Sequence, residues 1–215
     1  MWTRLSAWGL YVAHQLTMWV FIFRSQKQGQ PPSQELRPVN WAALGANALF
    51  ILLHFVQTHI WYDGLAQVVS IWSSQGSVIL MLVLIRLMEN QRRGLFWGQK
   101  APISKEIVRF ARKYNGYVFA WAIIYTFWYH PMENSVAQLG GFFYMFLLML
   151  QGSLMNTRLH TNRIWMLVQE ITVLIHGTLT ALMQGNGMWP MFFFGFGGLF
   201  ILTQMHGLKL RAWVR

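Results

Sequence analysis

Histidines and carboxylates recur at helical spacing in this sequence, and these residue types bind metals or transfer protons. His59 and Asp63 are four residues apart, and His130 and Glu133 are three apart. Both spacings bring two side chains to one face of a helix, although Pro131 restricts the backbone at His130. Neutral imidazoles and ionised carboxylates are suitable ligands for zinc or iron, and the same groups act as general acids and bases.

These pairs lead to two overlapping hypotheses about a site. The candidate metal ligands are His59, Asp63, His130, Glu133 and His176. The candidate catalytic carboxylates are Asp63, Glu133 and Glu170. Histidines at the ends of membrane helices are also common interfacial hydrogen-bonding residues, and Asp63 can cap the helix that follows it. We nevertheless favour a functional site, because His176 and Glu170 fall within an apolar segment and need polar partners there.

Three histidines fall nearer the middle of apolar segments and suggest a cofactor instead. These candidate cofactor-binding residues are His14, His54 and His176. Two histidines on facing helices can ligate a b-type haem. No spacing motif accompanies them, and a buried histidine that hydrogen-bonds to a neighbouring helix is commoner than a haem ligand.

The elements that position these residues are predicted to be membrane helices. Hydrophobic residues make up 55% of the chain and charged residues only 11%, whereas soluble domains carry roughly 25% charged residues. The apolar residues fall in seven blocks near the length of about 20 residues that a spanning helix needs. The predicted spans are 5–23, 40–62, 65–88, 115–131, 139–157, 164–184 and 188–208. We therefore expect an all-α fold, a single polytopic membrane domain of seven transmembrane helices over residues 1–215.

The basic residues predict the orientation of this bundle. With seven spans, Arg4 alone lies on one side of the membrane, and the other sixteen of the 17 lysines and arginines lie on the opposite side. Cytoplasmic loops carry the excess of basic residues. The sequence therefore predicts an external amino terminus and a cytoplasmic carboxyl terminus, in a plasma membrane such as a bacterial inner membrane.

A basic amphipathic segment precedes the fourth predicted span. In residues 103–113, Ile103, Ile107 and Phe110 share one helical face, and the basic residues lie mostly elsewhere. This pattern is typical of a helix that lies on a membrane surface. Because the net charge of +11 is interspersed with apolar blocks, we expect contact with anionic lipids on the cytoplasmic side rather than with nucleic acid.

Several chemistries are excluded by missing residues. The chain has no cysteine, so thiolate metal sites and cysteine nucleophiles are impossible. The seventh predicted span has no lysine before Lys209, which excludes a retinal Schiff base in the middle of that span.

The polar residues that recur along the second, third and sixth spans are expected to line a cavity together.

The leading functional hypothesis is a small membrane enzyme that acts on a lipophilic substrate, either a lipid or an isoprenoid. Its site would lie in the outer half of the bundle and would contain histidine and carboxylate, with or without a metal. One alternative is a haem-binding electron-transfer protein, and another is a metal-free cyclase or isomerase. A third alternative is a transporter, sensor or assembly subunit without catalysis. The sequence does not indicate the oligomeric state.

Overall fold

The structure is a computed structural model and describes residues 2–61, 64–91, 94, 99–132, 135–183, 185, 187 and 189–204. Within these residues the chain is all-helical, as predicted. Its α-helices are α1 (Trp2–Gln28), α2 (Pro38–Trp61), α3 (Ile71–Glu89), α4 (Lys105–Tyr129), α5 (Val136–Ser153), α6 (Arg163–Met183) and α7 (Trp189–Gln204). Short 3₁₀ turns at Leu65–Gln67 and Leu159–Thr161 lie in two of the connections.

Three of the described helices are long and apolar enough to cross a membrane, namely α2, α5 and α6. A helix of 24 residues such as α2 is about 36 Å long, which exceeds the hydrocarbon thickness of roughly 30 Å. The membrane character that the composition predicts is therefore supported by these three helices.

Local sequence explains where several helices begin. Ser70, Ser104 and Ser135 precede α3, α4 and α5, and each serine hydroxyl accepts a hydrogen bond from a backbone amide in the first turn of its helix. Such caps satisfy amides that have no partner within the helix. Pro38 is the first residue of α2, where the missing amide hydrogen costs nothing.

The segment 103–113 does not form a separate surface helix. From Lys105 onward it is the first part of α4, which continues without a break to Tyr129. Ile107 and Phe110 remain exposed in this part of the helix, by 50% and 65% respectively.

Neighbouring helices run in alternating directions, as contacts at the two ends of the bundle show. At one end, which we call the basic end (residues 29–37 and 154–162), the amide of Ser33 donates to the carbonyl of Asn156 over 3.0 Å. At the other, which we call the histidine end (residues 64–70 and 130–132), the Tyr129 hydroxyl donates to the carbonyl of Val69 over 3.0 Å. The Gln26 amide, near the end of α1, donates to the carbonyl of Lys113 near the start of α4.

The core is centred on the second half of α4, which packs against α1, α3 and α5. Phe127 and Trp128 are completely buried there. The helices α1, α2 and α5 also bury several polar side chains along the bundle. These residues are His14, Gln15, Asn40, Asn47, His54, Gln57, Thr58 and Ser153.

Candidate functional site

A buried hydrogen-bond network joins α1, α2, α4 and α5 around His14. The Nε2–H group of His14 donates to Asn47 Oδ1 over 2.8 Å, and the indole Nε1–H of Trp128 donates to His14 Nδ1 over 3.2 Å. Asn47 Nδ2 donates in turn to Ser153 Oγ over 2.9 Å and to the carbonyl of Met149 over 3.3 Å. Both ring nitrogens of His14 are therefore engaged by protein groups.

This arrangement does not fit an axial haem ligand at His14. A metal-ligating imidazole needs one ring nitrogen with an available lone pair, and the lone pair of His14 Nδ1 is taken by Trp128. The ring of His14 is also stacked on Phe50, with centroids 4.4 Å apart. The network instead matches the alternative interpretation, a buried histidine that hydrogen-bonds to a neighbouring helix.

His54 connects α2 to the segment that follows α4. Its Nε2–H donates to the carbonyl of His130 over 2.9 Å, and the amide of Met132 lies 3.4 Å from Thr58 Oγ1. His54 packs on Phe127 and Trp128, and its Nδ1 atom is buried without a hydrogen-bond partner in the described part of the chain. The backbone after α4 is thus held against the last turns of α2.

His59 faces away from this network. It is exposed on α2, where its Nδ1–H donates to the carbonyl of Phe55 over 2.8 Å. Asp63 and Glu133 lie outside the described residues. Among the residues that the structure does describe, no group of three or more histidines, aspartates and glutamates is placed to hold a metal ion.

His176 lies in a cleft between α5 and α6. A cavity of about 230 Å³ is lined there mainly by apolar side chains, together with His176, Thr172 and Thr180. Thr180 Oγ1 is 3.1 Å from His176 Nδ1, and this hydrogen bond fixes the orientation of the ring. Nε2 is on the edge of the ring near Gly141 of α5, where an added Cβ would lie 3.6 Å from it.

Two glycines on α5 make room for this imidazole. A Cβ atom on Gly141 would lie 3.2 Å from His176 Cε1, and one on Gly140 would lie 3.6 Å from Nδ1. From the sequence alone, this glycine pair indicates close helix packing. In the structure the close approach is between the α5 backbone and the side chain of His176, a candidate metal- and cofactor-binding residue.

His130 and His176 are close enough to interact electrostatically, and so are His54 and His130. Three histidines from α2, from the end of α4 and from α6 therefore share one region of the bundle. Of the other sequence-predicted residues that are described, His14 also belongs to this region, because it interacts electrostatically with His54 and both rings contact Phe127 and Trp128. His59 has separate surroundings.

Glu170 belongs to a different part of α6. It precedes His176 by six residues, which is about 9 Å along the helix axis, and it does not line the cleft. The side-chain amide of Gln204 on α7 donates to Glu170 Oε2. Arg86 of α3 and Tyr144 of α5 also interact electrostatically with this carboxylate. These contacts account for a carboxylate within an apolar helix.

The polar residues of the second, third and sixth predicted spans do not line one shared cavity. Asn47 of α2 is directed at α1 and α5, whereas Ser77 of α3 donates to the carbonyl of Ser74 in its own helix over 2.7 Å. Gln169 of α6 donates to Gln151 of α5 over 3.3 Å. These hydrogen bonds therefore run within one helix or to an adjacent helix.

Comparisons with protein-family models, with curated protein sequences and with solved structures give no match to this chain.

Proposed function

We propose that this protein is an integral membrane enzyme that acts on a lipophilic substrate in the α5–α6 cleft, with His176 as the group that transfers a proton. The observation that carries the proposal is the orientation of His176 within an apolar cavity. Thr180 bonds to Nδ1 and His176 lines the cavity, and we propose Nε2 as the atom that exchanges a proton with the substrate. A histidine placed in this way is suited to general acid–base catalysis.

The proposal includes the predicted membrane arrangement of seven spans, with the basic end in the cytoplasm. The apolar character of α2, α5 and α6 supports it, as does the alternating direction of neighbouring helices. With this orientation, the amino terminus and the histidine end lie on the external side. His176 is then in the external half of α6, seven residues before the helix ends at Met183.

The test compares lipid extracts of cells that produce the wild type, His176→Gln or His160→Gln. His160 is a matched control because it lies outside the cleft, in the turn between α5 and α6. We expect the wild type to change the amount of at least one lipid or isoprenoid, and His176→Gln to abolish that change. General acid–base groups contribute roughly 10²–10⁴-fold to rate, so a loss of this size is expected. Mass spectrometry of the extracts measures it.

Two outcomes would contradict the proposal. Full activity of His176→Gln, at equal protein abundance, would remove His176 from the reaction. A lipophilic molecule that purifies with the wild type but is never converted would indicate binding without catalysis. Elemental analysis of the purified protein tests the metal-containing form of the hypothesis, which includes Asp63 and Glu133.

A further inference from the structure

A second cavity lies between α1 and α2, and it shares no lining residue with the α5–α6 cleft. It has a volume of about 450 Å³, which is within the range of roughly 300–1,000 Å³ that is usual for small-molecule sites. It is a groove rather than an enclosed space, and its walls are almost entirely apolar. We call it the α1–α2 groove, and its lining residues are Leu5, Ser6, Gly9, Leu10, Leu53, Val56, Gln57 and Trp61.

Gln57 is the exceptional residue in this groove. Its side chain is 1% exposed, and neither Oε1 nor Nε2 has a hydrogen-bond partner within the described chain. A buried amide without partners is costly, since it loses its hydrogen bonds to water and gains none. Because Gln57 is a lining residue of the groove, a ligand there can supply both missing bonds once the buried side chain changes to a rotamer that turns its amide toward the groove.

The position of Gln57 suggests which kind of ligand this is. Gln57 lies four residues before the end of α2 at Trp61, or about 6 Å along the helix axis. Trp61 also lines the groove and is 48% exposed, and tryptophans favour the headgroup level of a bilayer. The amide is thus near the depth at which a lipid chain joins its polar head.

We propose that the α1–α2 groove binds a single-chain acyl lipid, with its hydrocarbon chain along the groove and its polar head bonded to Gln57. The side-chain amide offers one donor group and one acceptor atom. The complementary head therefore contains a carbonyl acceptor beside a hydroxyl donor, as in a monoacylglycerol. This site is separate from the α5–α6 cleft, so its existence does not depend on the proposed enzymatic function.

The first experiment measures binding of three probes that have the same chain and different heads. Purified, delipidated protein in detergent is titrated with monopalmitoylglycerol, methyl palmitate or hexadecane, and complexes are counted by native mass spectrometry. The first probe supplies an acceptor and a donor, the second only an acceptor, and the third neither. We expect affinity to fall in that order for the wild type.

Two variants distinguish lipid binding in the groove from nonspecific lipid contact elsewhere on the protein. Gln57→Leu removes the amide and should weaken monopalmitoylglycerol binding roughly tenfold, which is the size of effect expected from lost hydrogen bonds. It should also make the three probes bind alike. Gly9→Leu should abolish binding, because a Cβ at Gly9 has no neighbour within 4 Å and the new side chain projects from a lining residue of the groove.

Two matched controls accompany these variants. Gln15 is also a buried glutamine whose amide has no hydrogen-bond partner among the described residues, but it does not line the groove. Gln15→Leu should leave binding unchanged. Gly45 on α2 also has no atom within 4 Å of a built Cβ, so Gly45→Leu should bind the probe like the wild type.

Thermal unfolding keeps the proposal testable if binding is weak. Without lipid, Gln57→Leu should unfold at a higher temperature than the wild type, because an unsatisfied buried amide has been removed. At the same concentration of monopalmitoylglycerol, the wild type should gain more stability than Gln57→Leu, because it binds the lipid more tightly.

Three results would overturn the proposal. Equal binding of all three probes to the wild type would show that Gln57 does not contact the ligand. Unchanged binding by Gly9→Leu would place the lipid elsewhere, and a protein dimer that Gly9→Leu disrupts would show that a second copy of the chain occupies the groove. Any of these could occur while His176 remained essential for turnover, so failure here is distinguishable from failure of the proposed function.

Discussion

The buried polar side chains of this core differ in whether their polar atoms have hydrogen-bond partners. The Asn47 side chain hydrogen-bonds to groups on α1 and α5, whereas the equally buried amide of Gln57 has no bonds within the described residues. A satisfied buried network stabilises one arrangement of the helices, and an unsatisfied buried group destabilises it. The two kinds of residue therefore have opposite expected effects when they are made apolar.

Asn47→Leu is expected to destabilise the protein substantially. The change leaves the Nε2–H of His14 without its acceptor and removes the donor to Ser153 Oγ. With roughly 1–3 kcal/mol for each buried group left unsatisfied, we expect a loss of about 3 kcal/mol and a melting temperature lower by roughly 10 °C. Thermal unfolding in detergent, followed by tryptophan fluorescence, measures this shift.

The control for this prediction is Ala48→Leu, because Ala48 is the next residue on α2 and is exposed. It should unfold close to the wild-type temperature. If Asn47→Leu were as stable as the wild type, the network would not contribute to stability.

The sequence predicted which residues of this region face different ways, but it did not predict their partners. His54 and His59 are five residues apart, which places them on different faces of one helix, and the structure buries the first and exposes the second. The bond from His54 to the carbonyl of His130 was not predictable. It joins residues 76 positions apart, and helical periodicity contains no information about which helices become neighbours.

At the scale of helices, α5 and α6 form a hairpin whose connection is closed by His160. The Nδ1–H of His160 donates to the carbonyl of Gln151 over 2.9 Å, and Gln151 Nε2 donates to the carbonyl of His160 over 2.9 Å. Burial lowers the pKa of His160 below its usual 6.5, although the bond to the Gln151 carbonyl opposes this shift. The folded hairpin therefore holds this histidine in its neutral form.

This lowered pKa predicts a dependence of stability on pH. Below about pH 6.5, the unfolded chain binds a proton at His160 that the folded chain does not bind, so stability falls as the pH falls. One such group contributes a slope of at most about 1.4 kcal/mol per pH unit. We expect His160→Gln to remove this part of the slope, as measured by thermal unfolding between pH 7.5 and pH 5, within roughly two units of the usual histidine pKa.

His59→Gln is the comparison for this measurement, since His59 is exposed. It should retain the wild-type slope. A slope that is identical in the wild type and in His160→Gln would show that protonation of His160 is not linked to unfolding.

The helical elements were more predictable than the site they form. The ends of α2 at Pro38 and Trp61 are within two residues of the predicted span, because length and apolar composition determine such a segment. The role of Gly140 and Gly141 was not predictable in the same way. A glycine pair indicates close packing, but only the fold shows that His176 is the group packed there.

At the scale of the whole molecule, the distribution of charge and the direction of the helices agree. The loops 29–37 and 154–162 meet at the basic end through Ser33 and Arg158, whose amide donates to the Ser33 carbonyl over 2.8 Å. The seven-span arrangement also assigns both loops to one side of the membrane. This agreement leads to a test of the complete topology.

The chain has no cysteine, so single cysteines can report its topology without any background. The exposed positions Gln30 and Thr161 belong to the basic end, and Val68 and Val136 lie at the histidine end. In intact bacterial cells that produce the protein, a membrane-impermeant maleimide should label Val68→Cys and Val136→Cys only. After permeabilisation it should label all four variants, because the positive-inside rule places the basic end in the cytoplasm. The opposite pattern in intact cells would reverse the orientation, and different labelling of two positions at the same end would contradict the alternating seven-span bundle.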